Sequence, residues 1–413
     1  MTAKEKLNWK GRRLDVEVGP VAHGGHCVAR YEGRVLFVRH ALPGERVTAQ
    51  VTEDKGGSYC RADAVEIITA SPDRVEPPCP LSGPGACGGC DWQHASGEAQ
   101  RKLKAAVVSE HLSKATGRDI PVVVEELTGG LLGWRTRVRM AVGFDQLPGF
   151  HPHRSHAVIP VGHCPITVPG LVESVAGQEF TKDSELELVR DGGGRIHARQ
   201  LKLVRGYRGR MHYQRKAIAG DGESAVEFAA GRHWEMNAYN FWQVHPAAAD
   251  TLAAAVGEWA QASPGACAWD LYSGVGIFAS VLAAQVGPEG RVLAVEQAGQ
   301  SSLDSERLLA DLPQVTAVSR KVEVALREGL LDGADPEVVV LDPPRKGAGH
   351  EVVDTIAGRH PARVVYVACD PAALGRDVAR FMLHGYKLDS VRAFDAFPMT
   401  HHVEAVALLS PGD

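Results

Sequence analysis

From about residue 240 the sequence alternates short β-branched runs with helical stretches, and this alternation constrains the fold more than any other feature. The runs end at "ACAWDLYSG", "RVLAVEQ", "EVVVLDPP" and "RVVYVACDP", each followed by a helical stretch or a loop leading into one. Strands joined through helices lie parallel, because a parallel pair needs a long crossover. The spacing predicts a doubly wound α/β sheet, whose ligands bind at the carboxyl ends of the strands. "YKLDSVRAFDAF" and "HHVEAVALLS" close the chain as two more strands. Their link is too short for a crossover helix, so they pair antiparallel. The final strand then starts at the edge where the parallel strands end. If it inserts beside the strand that stops at Cys369, Glu404 arrives next to Cys369.

Upstream the pattern changes. Residues 9–68 read as short alternating strands broken by glycines, which predicts a small Greek-key barrel of the OB type, a common RNA-binding module. "SPDRVEPPCPLSGPGACGGC" follows, too rich in Pro, Gly and Cys for regular structure, so something else must order it. Residues 96–117 have helical spacing, with Leu103, Ala106, Val107 and Leu112 on or near one face. Residues 121–235 look mainly β. At 413 residues and 44% hydrophobic content, the chain can bury cores for two or three domains.

The formal charge of −5 announces no nucleic-acid partner, yet the charge is uneven. Between Arg190 and Lys216 nine Lys/Arg stand against one acid, Asp191, with Tyr207 and Tyr213 interleaved. Such a run is either a solvated strand face or a track for a phosphate backbone. No apolar stretch reaches the length of a membrane span, and no secretion signal is visible. Eight cysteines in that setting point to a reducing cytosol, with thiols as ligands or nucleophiles rather than disulfides.

Four strand tips carry chemistry. In "DLYSGVGIF" (270–278), Gly274 and Gly276 let the backbone approach a ligand at a helix N-terminus. Glu296 ends the next strand, where an acid suits a ribose diol. The full Gly-x-Gly-x-x-Gly is missing, which points to a smaller adenosyl cofactor rather than a dinucleotide. "LDPPRKG" (341–347) brings Asp342 to the same cleft on a loop stiffened by Pro343 and Pro344. Either it is an ordinary turn or it holds a planar base in a methyltransferase.

Cys369 ends the following strand, with Asp370 as N-cap and Pro371 in the first turn of the next helix. A helix N-terminus favours the thiolate; the plainer alternative is a packing cysteine. A thiol and a carboxylate beside an adenosyl site suit methylation of uracil carbon 5. Thiolate addition at carbon 6 makes carbon 5 nucleophilic, and a base must then remove its proton.

The segments "ALPGERV", "SPDRVEPPCP…CGGCDWQHAS", "GWRTRVR", "GFHPHRSH", "FWQVHP", "DLYSGVG", "LDPPRKG", "YVACDPAAL" and "FPMTHHVEAV", in this order, resemble the RNA uracil-5-methyltransferase family. The likeness is to its three-domain form with an N-terminal TRAM domain, and it runs nearly end to end. It implies a Rossmann-like class I SAM-dependent methyltransferase domain, an OB-type (TRAM) β-barrel and a mainly β central domain. The implied divisions are 8–68 for the barrel, 72–95 with 120–235 for the central domain, 96–118 for a helix on the catalytic domain, and 236–413 for that domain. Cys369 is then the nucleophile and Glu404 the base. Gln243, Tyr272, Gly274, Glu296 and Asp342 would contact S-adenosylmethionine, with Glu323 as a further contact. Cys79, Cys87, Cys90 and Cys164 would hold a [4Fe–4S] cluster.

The chain departs from the family pattern in four places. Asp370 stands where Asn is usual, and a carboxylate there raises the neighbouring thiol's pKa unless it is engaged in capping the helix. His245 stands where Asn is common, Ile277 where a polar residue is common, and the spacing from Cys79 to Cys87 is longer. On residue types alone the four thiols suit tetrahedral zinc as well as an iron–sulfur cluster. Cys27, Cys60 and Cys267 read as packing residues, and His153, His156, His401 and His402 as structural groups or RNA contacts. The expected protein is a cytoplasmic monomer that methylates structured RNA, with 23S rRNA favoured over tRNA. Its rivals are an amino-group methyltransferase, which needs neither Cys369 nor Glu404, and an RNA-binding or assembly factor without catalysis.

Overall fold

The computed structural model describes residues 8–206, 210–220, 224–297, 299–333 and 335–412. Strands β1 (Arg13–Ala22), β2 (His26–Tyr31), β3 (Arg34–Arg39), β4 (Arg46–Asp54) and β5 (Tyr59–Thr69) close into a barrel in the order β1-β2-β3-β5-β4. Alternate residues such as Leu14, Val16 and Val18 point inward, as a period of two demands. The Pro/Gly/Cys-rich stretch that follows is ordered from outside. Buried Glu45 accepts hydrogen bonds from Arg74 Nε (2.6 Å) and from the Leu42 and Ser71 amides, which ties residues 71–74 to the barrel. Farther along, a Cβ on Gly88 would lie 2.5 Å from the His153 nitrogen, so only glycine lets this loop lie against residues 151–153.

Helix α1 (Gly97–Thr116) starts at Ser96, whose side chain accepts from the Ala99 amide, and stops at Gly117 in the left-handed region. Leu103, Val107 and Leu112 are buried as the spacing predicts, but Ala106 is exposed. The buried face is turned toward Gln100, Lys104 and Val108 because its polar members find partners. Lys104 Nζ donates to Asp395 Oδ1 (2.5 Å) and to the Phe397 carbonyl (2.9 Å), with both side chains almost completely out of solvent. An apolar pattern cannot reveal such a lysine.

Strand β6 (Val124–Glu126) comes next. The central sheet follows, built from β7 (Arg137–Val142), β8 (Pro148–Phe150), β9 (Ile159–Pro160), β10 (Glu185–Arg190), β11 (Ile196–Arg205) and β12 (Met211–Ala219) in the order β12-β11-β10-β7-β8-β9. β12 is an exposed strand carrying Tyr213, Arg215 and Lys216; Tyr207 and Arg208 of the basic run lie outside the described residues. A hairpin, β13 (Ser224–Ala229) with β14 (Arg232–Asn237), leads into the last unit.

That unit contains α2 (Ala248–Ala260), β15 (Cys267–Leu271), α3 (Ile277–Val286), β16 (Arg291–Glu296), α4 (Gln300–Leu308), β17 (Val315–Ser319), α5 (Val322–Arg327), β18 (Val338–Leu341), α6 (His350–Ala357), β19 (Arg363–Ala368), α7 (Pro371–Leu383), β20 (Tyr386–Asp395) and β21 (Glu404–Pro411). Its sheet runs β17-β16-β15-β18-β19-β21-β20-β6. Helices cover both faces, so β18 is buried at every position. β21 inserts antiparallel between β19 and β20, with Ala368 opposite Ala405. β6 pairs parallel with β20 at the far edge. Residues 124–126 therefore belong to this sheet and not to the central β unit in which the sequence reading placed them; a three-residue strand is too short to show its partner. Among the described residues no helix is long and apolar enough to cross a membrane.

The Lys104–Asp395 pair fastens α1 to the sheet that β20 helps build. Lys104→Ala leaves Asp395 buried without its cation and should cost about 3–5 kcal/mol in denaturant unfolding, with most of the loss regained when Asp395 is also made apolar. A loss below about 1 kcal/mol would mean that the pair is solvated in solution.

Candidate active site

Most groups of interest gather at the carboxyl ends of the parallel strands. After β15 the chain turns through Tyr272 (φ +64°), Ser273 and Gly274 (φ +56°) to enter α3 at Gly276. A Cβ on Gly276 would lie 2.5 Å from Leu309, so that glycine serves packing; beside Gly274 there is open space. The Gly274 amide donates to Glu296 Oε2 (2.9 Å), and the Asp342 amide donates to the Leu271 carbonyl (3.2 Å). Gln243, Tyr272, Gly274 and Asp342 line one pocket of about 70 Å³, with Phe241 and Trp242 forming part of its wall. Glu296 braces its glycine turn. Glu323, at the start of α5, lies near enough to Tyr272 to act on its hydroxyl electrostatically and faces Lys346 at 3.6 Å.

The electrostatics there are one-sided. Burial, with the Asp342 and Glu296 carboxylates beside it, pushes Asp270 up to about 8. Asp342 is pushed up to about 7 by burial and by Glu296. Tyr272 Oη and Ser273 Oγ are buried without hydrogen-bond partners. Acids without a nearby cation, two unsatisfied hydroxyls and open space at Gly274 form a cradle for a ligand carrying positive charge and hydrogen-bonding groups. S-adenosylmethionine, a sulfonium with an amino group and a ribose, fits it.

Beyond this pocket, Cys369 stands between β19 and α7. Asp370 Oδ1 caps α7 by accepting from the Ala373 amide (2.8 Å), and Pro371 opens the first turn. The register that pairs Ala368 with Ala405 seats Glu404 beside Cys369. A second pocket, of about 90 Å³, is lined by Cys369, Arg345, His23, Trp92, His401 and His402, among others. His401 Nδ1 is 2.6 Å from Asp91 Oδ2, and Arg39 reaches the other oxygen of Asp91 at 3.3 Å.

The thiol is not activated in the way the sequence implied. Burial and the Glu404 and Asp342 carboxylates push Cys369 up to about 12, against the opposing pull of Arg345. These effects outweigh the helix N-terminus from which a thiolate was expected. Burial and Asp342 likewise hold Glu404 well above the usual carboxylate range, again opposed by Arg345. Arg345 is thus the cation that favours the ionised form of both groups. It lies within the quoted "LDPPRKG", but sequence reasoning assigned it no role.

Residues 9–65 match the TRAM domain model, and residues 240–411 match the tRNA (Uracil-5-)-methyltransferase model. A Streptomyces avermitilis protein called an uncharacterized RNA methyltransferase is 44% identical, over 97% of this chain and 99% of its own length. The 23S rRNA (uracil(1939)-C(5))-methyltransferase RlmD of Shewanella sediminis is 30% identical, over 96% of this chain and 95% of its own. The chain belongs to the RNA uracil-C5 methyltransferase family. A Pyrococcus abyssi tRNA (uracil-54, C5)-methyltransferase, solved with S-adenosyl-L-homocysteine, has the same fold: TM-score 0.69 over 95% of this chain and 99% of that one, at 21% identity.

In this methyltransferase Cys79, Cys87, Cys90 and Cys164, all free thiols, line a single cavity of about 140 Å³ with Gln93 and Arg135. Among the described residues no three His, Cys, Asp or Glu side chains converge closely enough for one metal ion. Residues that the sequence reading missed, His23 and Trp92, reach the Cys369 pocket from outside the α/β unit. The paired glycines of "AHGGHC" were the available signal for His23, since they mark a turn that something must approach closely.

Asp270 and Asp342 make the stability of the ligand-free enzyme pH-dependent. Their folded pKa values, about 8 and about 7, lie above the unfolded value of 3.8. Their contribution is therefore complete below about pH 4 and is lost as pH rises through 7–8. Thermal unfolding should show the melting temperature falling from pH 6 to pH 9, with a shallower fall for Asp270→Asn. An equal slope in both proteins would remove Asp270 as a cause.

Proposed function

We propose that this enzyme methylates carbon 5 of a uridine in 23S rRNA, with S-adenosylmethionine held by Gln243, Tyr272, Gly274, Glu296 and Asp342. The observation that carries the reading is the β19–β21 register, which places Glu404 beside Cys369 at the edge where β15 and β18 present the first pocket. Bound S-adenosylmethionine supplies an electrophilic methyl group. Cys369 gives its thiol proton to solvent, and Sγ bonds to uracil carbon 6 while the C5=C6 pair shifts through carbon 4 onto oxygen 4. Arg345 favours the thiolate that starts this step. The enolate pair returns through carbon 5 to form the new C–CH₃ bond, and the pair of the broken S–CH₃ bond stays on the donor sulfur. Glu404, as carboxylate, takes the carbon-5 proton; that pair re-forms C5=C6, and the carbon–sulfur bond breaks to return the thiolate.

The barrel and the basic β11–β12 face hold the RNA backbone, and the Cys369 pocket takes a flipped uridine. The 23S rRNA assignment leans on the RlmD relative, which matches the barrel and central sheet as well as the catalytic unit. A tRNA substrate is the second reading, favoured by the family description of residues 240–411. Mass mapping of 5-methyluridine in RNA from cells with and without the gene separates the two: a site lost from tRNA alone rejects 23S rRNA.

The chemistry has its own test. RNA with 5-fluorouridine at the target should trap the wild-type enzyme, because fluorine cannot leave as a proton. Cys369→Ala should give neither adduct nor product, whereas Glu404→Gln should accumulate an adduct with ordinary RNA. Retention of activity within about tenfold in Cys369→Ala, roughly 1.4 kcal/mol of barrier, would return Cys369 to a packing role.

For the four cysteines we propose a [4Fe–4S] cluster. All four thiols line one cavity, and four thiolates are the ligand set of such a cluster; the resemblance of the cysteine-bearing segment favours it over zinc. Its effect would be to order residues 79–90, which have little core of their own. Anaerobically purified protein should be brown and contain equal amounts of iron and inorganic sulfide. Stoichiometric zinc in a colourless, active enzyme would replace the cluster by a structural zinc site.

A further inference from the structure

The Cys369 pocket is not built by the α/β unit alone. Its far wall is the β1–β2 turn of the barrel, His23-Gly24-Gly25, and this turn is pressed against the catalytic domain. A Cβ on Gly25 would come within 3.0 Å of His401 and 3.2 Å of Asp91. The Gly25 carbonyl accepts from Trp92 Nε1 (3.2 Å), which fixes the turn from behind. Held in this way, His23 places Nε2 3.4 Å from Asp370 Oδ2, and its ring meets His111 of α1 edge-on at 5.5 Å.

Asp370 follows the nucleophile directly in the chain. One of its oxygens is engaged by the Ala373 amide at the start of α7, and the other faces His23. Glu404 and Asp342 already oppose ionisation of Cys369, so an uncompensated third carboxylate would deepen that opposition. Within the α/β unit the cation acting on Asp370 is Arg376, and its effect is weaker than that of His23.

We propose that His23, carried by the N-terminal barrel, is a positioning residue of the methyltransferase site: paired with Asp370, it offsets the carboxylate beside Cys369 and so favours the thiolate. The inference rests on Cys369 being the nucleophile, as set out above. The pairing favours the imidazolium: the hydrogen bond to Asp370 raises the His23 pKa against burial, with Arg376 opposing. The His111 ring beside it is itself held toward neutrality by burial and by His23, so it does not replace the cation. Burial works against ionisation of Asp370, yet His23 and the Ala373 amide hold its pKa down to about 2. Each partner thus favours the charged form of the other. The barrel thereby becomes part of the reaction centre as well as a grip on RNA.

The test is a mutant cycle on the full-length enzyme, read as the rate of covalent adduct formation with 5-fluorouridine RNA across pH. His23→Ala and His23→Gln should slow adduct formation about tenfold at neutral pH and move the rising limb of the profile about one unit alkaline, since the rate follows the thiolate fraction. Asp370→Asn keeps the cap and removes the charge. In that background His23→Ala should cost less than about threefold, because the carboxylate it offsets is gone. Affinity for S-adenosylhomocysteine shows that each variant is folded, as His23 does not touch that pocket. An equal loss in both backgrounds, or no loss at all, overturns the proposal while leaving the nucleophile intact. Wild-type enzyme that forms no adduct overturns the nucleophile assignment and this inference with it.

Discussion

The antiparallel seat of β21 between β19 and β20 decides where the reacting groups stand. Its residues Ala405, Val406, Ala407 and Leu409 are buried, so the register is fixed by apolar packing on both faces. A slip of one residue would turn every one of these side chains to the opposite face, which the covered sheet does not tolerate. With the register fixed, Glu404 has nowhere to go but the end of β19. The thiol, the carboxylate and the adenosyl cradle thus owe their spacing to a sheet, which is stiffer than any loop.

That placement has an electrostatic cost that the same structure manages locally. Asp270, Glu296, Asp342 and Glu404 crowd the carboxyl ends of neighbouring strands, and burial raises the pKa of each. In the empty enzyme burial and mutual repulsion shift these acids, and the Cys369 thiol with them, toward their neutral forms. Ionisation is left to cations at the rim: Arg345 on the loop after β18, the ligand's own sulfonium, and His23 across the domain boundary.

The site was legible in the sequence to the extent that its signals are local or topological. Cys369-Asp370-Pro371 declares itself because a strand end, a cap and a first-turn proline are neighbours in the chain. Glu404 could be placed because short links force antiparallel pairing. Ala106 was placed near the buried face and Lys104 was overlooked for one reason, which is that an apolar stripe is blind to a charged side chain with a buried partner far along the chain. His23 left only an indirect trace, the paired glycines that follow it, because its partner Asp370 lies far along the chain. The thiolate expectation failed differently: a helix N-terminus is a local term of modest size, whereas burial and two carboxylates come from the tertiary fold.

The Lys104–Asp395 pair and the β6 edge bear on how the molecule is made. The barrel strands are contiguous and can close while the chain is still growing from its N-terminal end. Helix α1 and β6 emerge soon afterwards, yet Lys104 must wait for a partner 291 residues further on. β6 must wait for β20, and β20 must wait for β21. Until residues 404–411 have left the ribosome, an early helix and an early strand stand with uncovered faces. The part of the molecule suited to holding RNA is thus ready long before the part suited to modifying it. The barrel can be complete in a nascent chain whose catalytic sheet still lacks β21.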